Sequence, residues 1–305
     1  MAPLPGAAGR AWAKGPKRAH IVSLDGYGTT EAVILQGRAL KGNPSSGARG
    51  KSSARKFFST AHAFLQRDLE HVEIAVSDER QQVIARMPTD DEGFFEAKVP
   101  GPFPVGPRRF FVALGAGKYA SDAIPVDVLV VSAGAPGWVV ITDMDDTIVV
   151  THAHRNKASL VWAQALGNVD DMQPIPGAAA ALSRFFRAGV PVVYVSAGPI
   201  ELAPRSRTFL QENGFPPGAL FFRHYEDDGV GAPMAYKLDR IRKVMRAFPG
   251  RRFILVGDNG ETDPEIFVRL LQEGAPIARA YVRRELAGTR AEDERLTFFA
   301  DWQDV

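Results

Sequence analysis

The pattern of apolar and polar positions changes near residue 132. From residue 20 to that point, short half-alternating apolar runs are separated by turn sequences such as those at 90–93 and 100–102. Short strands with regular turns between them are typical of a small antiparallel β-domain and favour a sandwich. The predicted strands lie at 31–37, 72–76, 82–86, 94–99 and 109–114.

Beyond a Gly- and Ala-rich stretch at 132–137, which we interpret as a linker, the apolar runs become nearly continuous. Such runs, alternating with helical patterns, are typical of a parallel sheet covered by helices on both faces. Ligands bind such sheets beyond the carboxyl ends of the strands. The predicted strands are 138–142, 190–195, 253–256 and 278–282, and the predicted helices are 177–188, 204–213, 236–248 and 263–273.

The 305 residues are enough for two domains. We predict a flexible basic tail over 1–19, a β-rich, sandwich-like domain over 20–134, and an α/β domain over 135–305. A basic Gly/Ser loop at 41–53 interrupts the β-rich domain, and a helix with an apolar side follows it. Core packing explains that side more readily than membrane contact does.

The composition excludes some kinds of site and some kinds of membrane attachment. The chain has no cysteine, which excludes disulfides, thiolate catalysis and thiolate metal sites. No apolar run reaches the ~20 residues that a bilayer-spanning helix requires, and the start of the chain lacks the apolar stretch of a secretion signal. We therefore expect a cytoplasmic protein whose contact with a membrane, if any, is peripheral.

Charge is distributed unevenly along the chain. The formal net charge is +2, yet residues 1–60 hold ten Lys or Arg against two acidic residues, so this segment carries +8 and the remainder −6. Positive charge at this density attracts anionic surfaces such as phospholipid headgroups or nucleic acid, although a solvated tail explains it equally well.

Three carboxylates follow the predicted strand 138–142 within four residues: Asp143, Asp145 and Asp146. Such a cluster repels itself unless a cation neutralises it, and hard oxygen ligands suit Mg²⁺. One carboxylate can attack phosphorus, and the carboxylate two residues on can act as general acid and then base. The alternative is a solvated acidic turn at the surface.

Residues at other strand ends decide between these interpretations. Ser196 follows the second strand in a Gly-bearing turn, where it can hold a phosphoryl oxygen or simply shape the turn. Lys237 begins a predicted helix, where a solvated surface lysine is the common case. Asp258 leaves the third strand where a metal could sit. Asp263 is either a helix N-cap before Pro264 or a metal or second-sphere group.

In this order the motifs resemble those of the haloacid dehalogenase superfamily: Asp-x-Asp-x-Thr, then Ser, then Lys, then Gly-Asp. The resemblance implies Asp143 as nucleophile and Asp145 as general acid and base. It also implies Thr147 and Ser196 at the phosphate and Lys237 compensating its charge. It further implies that Mg²⁺ is held by Asp143, the backbone oxygen of Asp145, and Asp258, with Asp263 as a further candidate.

Longer stretches at 209–218, 237–242 and 248–267 resemble the actin-patch-type phosphatidate phosphatases, which place a β-rich region with an element similar to Gly-Tyr-Gly-Thr at 26–29 ahead of the catalytic domain. That family often has an Asn-Ser-Pro-Trp-like sequence after the serine, and His where Tyr236 stands here. Both departures flank the site and bear on substrate preference.

The intervals 146–195 and 197–236 are too short for a large inserted cap, so we predict an open site suited to a bulky or surface-bound phosphomonoester. The predicted function is Mg²⁺-dependent hydrolysis of phosphatidate to diacylglycerol and phosphate. The alternatives are a phosphatase acting on a nucleic-acid end or another soluble phosphate ester, and a binding protein that senses phosphate.

Overall fold

In the computed structural model the chain forms two main β-sheets, which we call the first and second sheet. The structure describes residues 16–42, 67–151, 172–223, 233–285 and 293–305. Most of the predicted tail, most of the basic loop and the helix predicted after that loop lie outside these residues.

The first sheet contains the five strands predicted from alternation and three others. Its strands follow the order β4-β3-β6-β8-β1-β2-β5, with β7 paired to β1, and neighbours are antiparallel except that β1 runs parallel to β7 and β8. The bounds are Lys17–Thr29 (β1), Ala32–Lys41 (β2), Glu73–Ser77 (β3), Val83–Pro88 (β4), Phe94–Pro100 (β5), Gly106–Leu114 (β6), Tyr119–Ala120 (β7) and Ile124–Val131 (β8).

Strand β1 is the main departure from the sequence-based prediction in this half. It begins at Lys17, so the last residues assigned to the flexible tail are part of the sheet, where Ala19 pairs with Lys41. Glycines at 26 and 28 mask the strand in the sequence, but close packing requires them. A Cβ on Gly28 would lie 2.3 Å from the carbonyl oxygen of Ala32.

The β-rich character of the first half is therefore confirmed. Its strands form one hydrogen-bonded path whose two end strands, β4 and β5, contact each other, so the sheet curves around its own core. A sandwich of two separate sheets stays a prediction, as do the domain boundaries at 134 and 135.

The second sheet is parallel, as the continuous apolar runs predict. Its order is β13-β12-β9-β14-β15-β16, with β9 near the centre, and a short hairpin, β10–β11, lies beside it. The bounds are Trp138–Asp143 (β9), Val149–Val150 (β10), Gln173–Pro174 (β11), Val192–Pro199 (β12), Leu220–Arg223 (β13), Arg252–Asp258 (β14), Ile277–Arg283 (β15) and Leu296–Phe299 (β16).

Helices cover both faces of this sheet. They are Ala178–Arg187 (α1), Ala203–Glu212 (α2), Pro233–Ala247 (α3) and Asp263–Gln272 (α4), each within three residues of its predicted bounds. Successive side chains of β9 point to opposite faces. Val140 packs with α1 and α2, while Val139 and Ile141 pack with α3 and α4. The α/β prediction for this half is thus confirmed.

The first sheet packs directly against the second. Leu24 joins the apolar cluster of α1 and α2, and Tyr27 joins that of α3 and α4, where its ring lies 5.8 Å from Phe221 and 6.0 Å from Phe248 between centroids. Among the helices that the structure describes, none combines the length and the apolar character needed to cross a membrane.

Candidate active site

The loop after β9 folds back on the strand that carries Asp143. Asp146 adopts a left-handed backbone conformation (φ 52°), its N–H donates to the carbonyl of Val149 (2.8 Å), and the N–H of Ile148 donates to the carbonyl of Met144 (2.9 Å). This tight turn brings the Thr147 hydroxyl to Asp143, where Oγ1 donates to Oδ2 over 3.2 Å. Asp143 and Thr147 are both buried, so the solvated acidic turn considered above is not what forms.

Lys237 is a buried residue at the centre of a carboxylate cluster. Its Nζ lies 2.7 Å from Asp143 Oδ1, 2.8 Å from Asp263 Oδ1 and 3.2 Å from Glu261 Oε2, and only 2% of its side chain is exposed. Burial alone would lower its pKa, but the charges of Asp143, Asp263 and Glu261 raise that pKa well above the usual value. The ammonium therefore stays charged, and the surface-lysine interpretation is wrong.

Asp145 faces a different partner. Ser196, at the carboxyl end of β12, donates from Oγ to Asp145 Oδ2 over 3.0 Å, and its own Oγ accepts the N–H of Gly198 at 3.0 Å. Burial and, to a lesser extent, the negative charge of Glu261 raise the pKa of Asp145 to about 6, against the opposing effect of the bond from Ser196. The two carboxylates of the Asp-x-Asp motif thus have separate environments, one facing a lysine and the other a hydroxyl.

Asp258 and Asp263 meet at the end of β14. The N–H of Asp258 donates to Asp263 Oδ2 over 3.3 Å, and a Cβ on Gly257 would lie 2.4 Å from that same oxygen, which explains the glycine. The interpretation of Asp263 as a helix N-cap is wrong. Thr262 occupies the N-cap position of α4, and the Asp263 carboxylate turns inward to Lys237, where an ion pair outweighs a cap bond.

A divalent cation fits this donor set. Carboxylate oxygens of Asp143, Asp258 and Asp263 lie within 4.8 Å of one another, and all three residues are buried. Asp258 Oδ1 is buried and has no hydrogen-bond partner among the described residues. Burial and, second to it, the negative charge of Asp263 raise the pKa of Asp258 to about 8. Hard oxygen donors that repel one another in this way suit Mg²⁺. The Asp145 carboxylate lies outside this group, and a role for its backbone oxygen stays a prediction.

Comparison with known proteins finds matches to the part of the chain that carries this site. Residues 138–284 match the family model described as phosphatidate phosphatase APP1, catalytic domain. Phosphatidate phosphatase APP1 of Saccharomyces cerevisiae is 34% identical over 101 residues, a match that covers 32% of this chain and 17% of that protein. Residues 138–284, which include β9 to β15 and the four helices, are thus similar to the catalytic domain of a phosphatase family. The resemblance to the actin-patch-type phosphatases is thereby confirmed.

Two solved structures are similar at lower levels. A haloacid-dehalogenase-like phosphatase from Mesorhizobium loti has 16% identity and a TM-score of 0.37, covering 66% of this chain and 90% of that one. A chain of the Pnkp1/Rnl/Hen1 complex has 15% identity and a TM-score of 0.34, covering 51% of this chain and 52% of that one. Both scores fall below 0.5, so neither structure supports a conclusion about this chain.

Sequence reasoning missed three residues that contact the motif residues. Glu261 contacts Lys237, as described above. Arg283, at the end of β15, donates to the carbonyl of Asp146 (2.7 Å), and the Trp302 indole donates to the carbonyl of Thr147 (3.1 Å). The sequence contained a signal for Arg283, because this residue ends β15 at the carboxyl edge of the sheet, where the motif residues lie. Trp302 follows β16, which the apolar pattern did not predict.

The residues described between the motif segments contain the β10–β11 hairpin, α1, β12, α2 and β13, and no inserted cap domain. The remaining parts of the two intervals, 152–171 and 224–232, lie outside the described residues.

Proposed function

We propose that this protein hydrolyses phosphomonoesters in a Mg²⁺-dependent reaction that passes through a phosphoryl group on Asp143. One observation carries the proposal: residues from separate segments converge at the carboxyl edge of the second sheet, with Lys237 Nζ within 2.8 Å of both Asp143 and Asp263. Perturbed carboxylates gathered around a buried cation mark functional sites more often than structural ones.

Asp143 is the proposed nucleophile. Its carboxylate is held on one side by the Lys237 ammonium and on the other by the Thr147 hydroxyl, so its direction is fixed before substrate arrives. Attack by one of its oxygens forms an O–P bond while the bond from phosphorus to the leaving oxygen breaks. Lys237 then offsets negative charge on the transferring group, because phosphoryl transfer depends on positioning and charge compensation.

Asp145 is the proposed proton carrier. It donates its proton to the leaving oxygen, then takes a proton from the water that attacks phosphorus and regenerates Asp143. The hydrogen bond from Ser196 Oγ orients this carboxylate away from the Lys237 cluster. Ser196 and Thr147, both buried beside the two aspartates, are the proposed contacts for phosphoryl oxygens.

Asp143, Asp258 and Asp263 are the side chains proposed to hold Mg²⁺. Bound there, the ion would neutralise the carboxylates and the phosphate oxygens, which is the usual contribution of a metal to phosphoryl transfer.

The proposed substrate is phosphatidate. Support comes from the description of the matching family model and of the yeast relative, and from the absence of a cap domain among the residues described. Peripheral contact with an anionic membrane through the basic first 60 residues, in a cytoplasmic setting, fits this substrate. Arg38 is not part of that surface, since it is buried and paired.

The test is phosphate release from phosphatidate in mixed micelles, with Mg²⁺ and with chelator, for the wild type and for Asp143→Asn. We expect release that requires Mg²⁺ and falls at least about 1,000-fold in the variant, because the nucleophile is lost. The matched control is Asp239→Asn, an exposed aspartate on α3. Full activity of Asp143→Asn with a native circular dichroism spectrum would exclude the mechanism.

The same assay separates the other candidates. Faster release from a 5′- or 3′-phosphorylated oligonucleotide than from phosphatidate would favour a nucleic-acid end. Release from a generic aryl phosphate alone would keep the mechanism and exclude the lipid. Release of no more than one equivalent from any of these substrates would favour a phosphate-sensing protein.

A further inference from the structure

The strand that carries Ser196 loses its regular pairing at that residue. The pairing of β12 with β9 ends at Val195, and its register with β13 is interrupted between Val195 and Pro199. Ladder hydrogen bonds normally fix the position of a strand residue, and an irregularity removes them locally. The position of Ser196 therefore depends on its own side-chain bonds and on whatever holds the segment that follows it.

That segment begins with a 3-10 turn, Ile200–Leu202, and continues into α2. Neither element has a side-chain cap at its N-terminus. Local interactions of the usual kind thus do not anchor the first turns after Ser196.

Ile200 and Leu202 of this turn are buried in the apolar cluster of α1 and α2, and two ion pairs attach the same segment to the first sheet. Arg38 of β2 donates from Nη1 to Glu201 Oε1 over 3.0 Å, and Arg207 of α2 lies 2.8 Å from Asp25 Oδ1 of β1. The side chains of Arg38 and Glu201 are only 10% and 18% exposed. Ion pairs at this depth are weakly screened by solvent and costly to break from one side.

Arg38 is itself rigidly placed. Its Nε and Nη2 donate to the two oxygens of Asp68 (2.7 and 3.0 Å), its guanidinium lies 5.3 Å from the centroid of the Phe94 ring, and β2 is paired on both edges. A bidentate, stacked guanidinium has little freedom to follow a moving partner. The arginine thus serves as a fixed point on the first sheet, to which Glu201 is attached.

We propose that Arg38 and Glu201 form a latch through which the first sheet positions Ser196 against Asp145. This inference rests on the proposed function, and it assigns the β-rich half of the chain a part in catalysis. Arg38 and Glu201 are positioning residues: they act through the Ser196 segment and do not touch the substrate.

The decisive variant is Glu201→Gln, which keeps the shape of the side chain and removes its charge. We expect kcat to fall about tenfold with a smaller change in KM, because displacement of a catalytic group by a fraction of an ångström has effects of this size. Glu201→Asp should recover part of the loss. The matched control is Glu96→Gln, which removes another ion pair between the sheets, that with Lys243, without touching the segment after Ser196. Its kcat should stay within about twofold of the wild type.

A double-mutant cycle distinguishes positioning from general destabilisation. If the latch acts through Ser196, Glu201→Gln should lower kcat by less than about twofold in a protein that already carries Ser196→Ala, because the effects of coupled residues are non-additive. An equal fall in both backgrounds, or no fall in the wild-type background, would overturn the inference.

Amide hydrogen exchange provides a readout that does not need turnover. Exchange over residues 199–207 should accelerate at least about fivefold in Glu201→Gln and stay unchanged in Glu96→Gln. If the wild type releases no phosphate from any substrate, the proposed function fails while this measurement still tests the latch. Unchanged exchange in Glu201→Gln would show that the segment has no such anchor.

Discussion

The two sheets differ in how they bury charge. In the first sheet, two buried charged residues each have an oppositely charged partner in the other half of the chain. Asp25 pairs with Arg207 of α2, and Arg38 pairs with Glu201 of the 3-10 turn.

At the carboxyl edge of the second sheet, by contrast, Asp143, Asp263 and Glu261 surround Lys237, the one ammonium near them among the described residues. A third buried aspartate, Asp258, has a carboxylate oxygen within 4.8 Å of those of Asp143 and Asp263.

We call the two ion pairs Asp25–Arg207 and Arg38–Glu201 the joint, because they connect the first sheet to elements that cover the second. The difference in charge separates this structural contact from the proposed catalytic site. Paired charges at the joint fix the relative position of the two sheets. The excess of carboxylates at the second sheet is unfavourable on its own, because burial raises the pKa of Asp143, Asp258 and Asp263. A protein retains such strain where a bound cation and an anionic substrate use it.

The largest expected effect on stability and activity comes from removing the cation of the carboxylate cluster around Lys237. Replacing Lys237 with Met leaves Asp143 and Asp263 without their cation, so we expect the free energy of unfolding at neutral pH to fall by about 3–5 kcal/mol. Phosphate release should fall at least about 100-fold. Urea denaturation and steady-state release measure the two effects.

The control lies on the same helix. Lys243→Met removes a half-exposed ion pair with Glu96 and should lower the free energy of unfolding by less than about 1 kcal/mol. Equal stability of the two lysine variants would contradict the contrast between joint and site.

The second prediction concerns the metal. Mg²⁺ at 100 times its dissociation constant should stabilise the wild type by about 3 kcal/mol. Asp258→Asn should remove most of this increase, because Asp258 Oδ1 is buried with no hydrogen-bond partner among the described residues, whereas Asp143 Oδ1 faces the Lys237 ammonium. Thermal unfolding with a Mg²⁺ titration measures it, with Asp239→Asn as the exposed control. An undiminished Mg²⁺ response in Asp258→Asn would place the cation elsewhere.

The third prediction concerns the joint and its dependence on pH. Burial raises the pKa of Asp25 from 3.8 to about 6, an effect that the charge of Arg207 opposes. Between these values the folded state binds more protons than the unfolded state, so stability attributable to Asp25 falls as pH rises from about 4 to about 6. A shift of this size corresponds to about 3 kcal/mol.

Asp25→Asn should flatten that slope in denaturation curves measured from pH 4 to pH 7, and the exposed substitution Asp122→Asn should leave it unchanged. A slope that persists in Asp25→Asn would mean that other groups cause it.

The smallest expected effect lies in the same contact between the sheets. Tyr27 is buried, and in the part of the chain that the structure describes its hydroxyl has no hydrogen-bond partner. Removing an unsatisfied buried hydroxyl removes its desolvation cost, so Tyr27→Phe should raise the free energy of unfolding by about 1 kcal/mol. A loss of stability in urea denaturation would reveal a bonded hydroxyl instead. Tyr119→Phe, at a half-exposed ring, is the control and should change little.

Sequence reasoning succeeded where the signal is local. Strand β9 and helix α4 were predicted within a residue at each end, because continuous apolar runs and 3.6-residue periodicity persist whatever they pack against. It failed at β1, where glycines needed for close approach to β2 resemble turn residues, and it left two roles open for Asp263, whose position beside Pro264 also resembles a helix cap.

The sequence by itself determined the α/β character of residues 138–284, the family likeness and the identity of the motif residues, since these depend on residue type and spacing along one strand or helix. Only the tertiary structure decided that Lys237 is buried between Asp143 and Asp263, that Asp145 bonds Ser196, and that Arg38 reaches Glu201. Those contacts join residues from separate segments. The energy of a buried charge depends on which groups surround it in space, and a one-dimensional pattern does not contain that information.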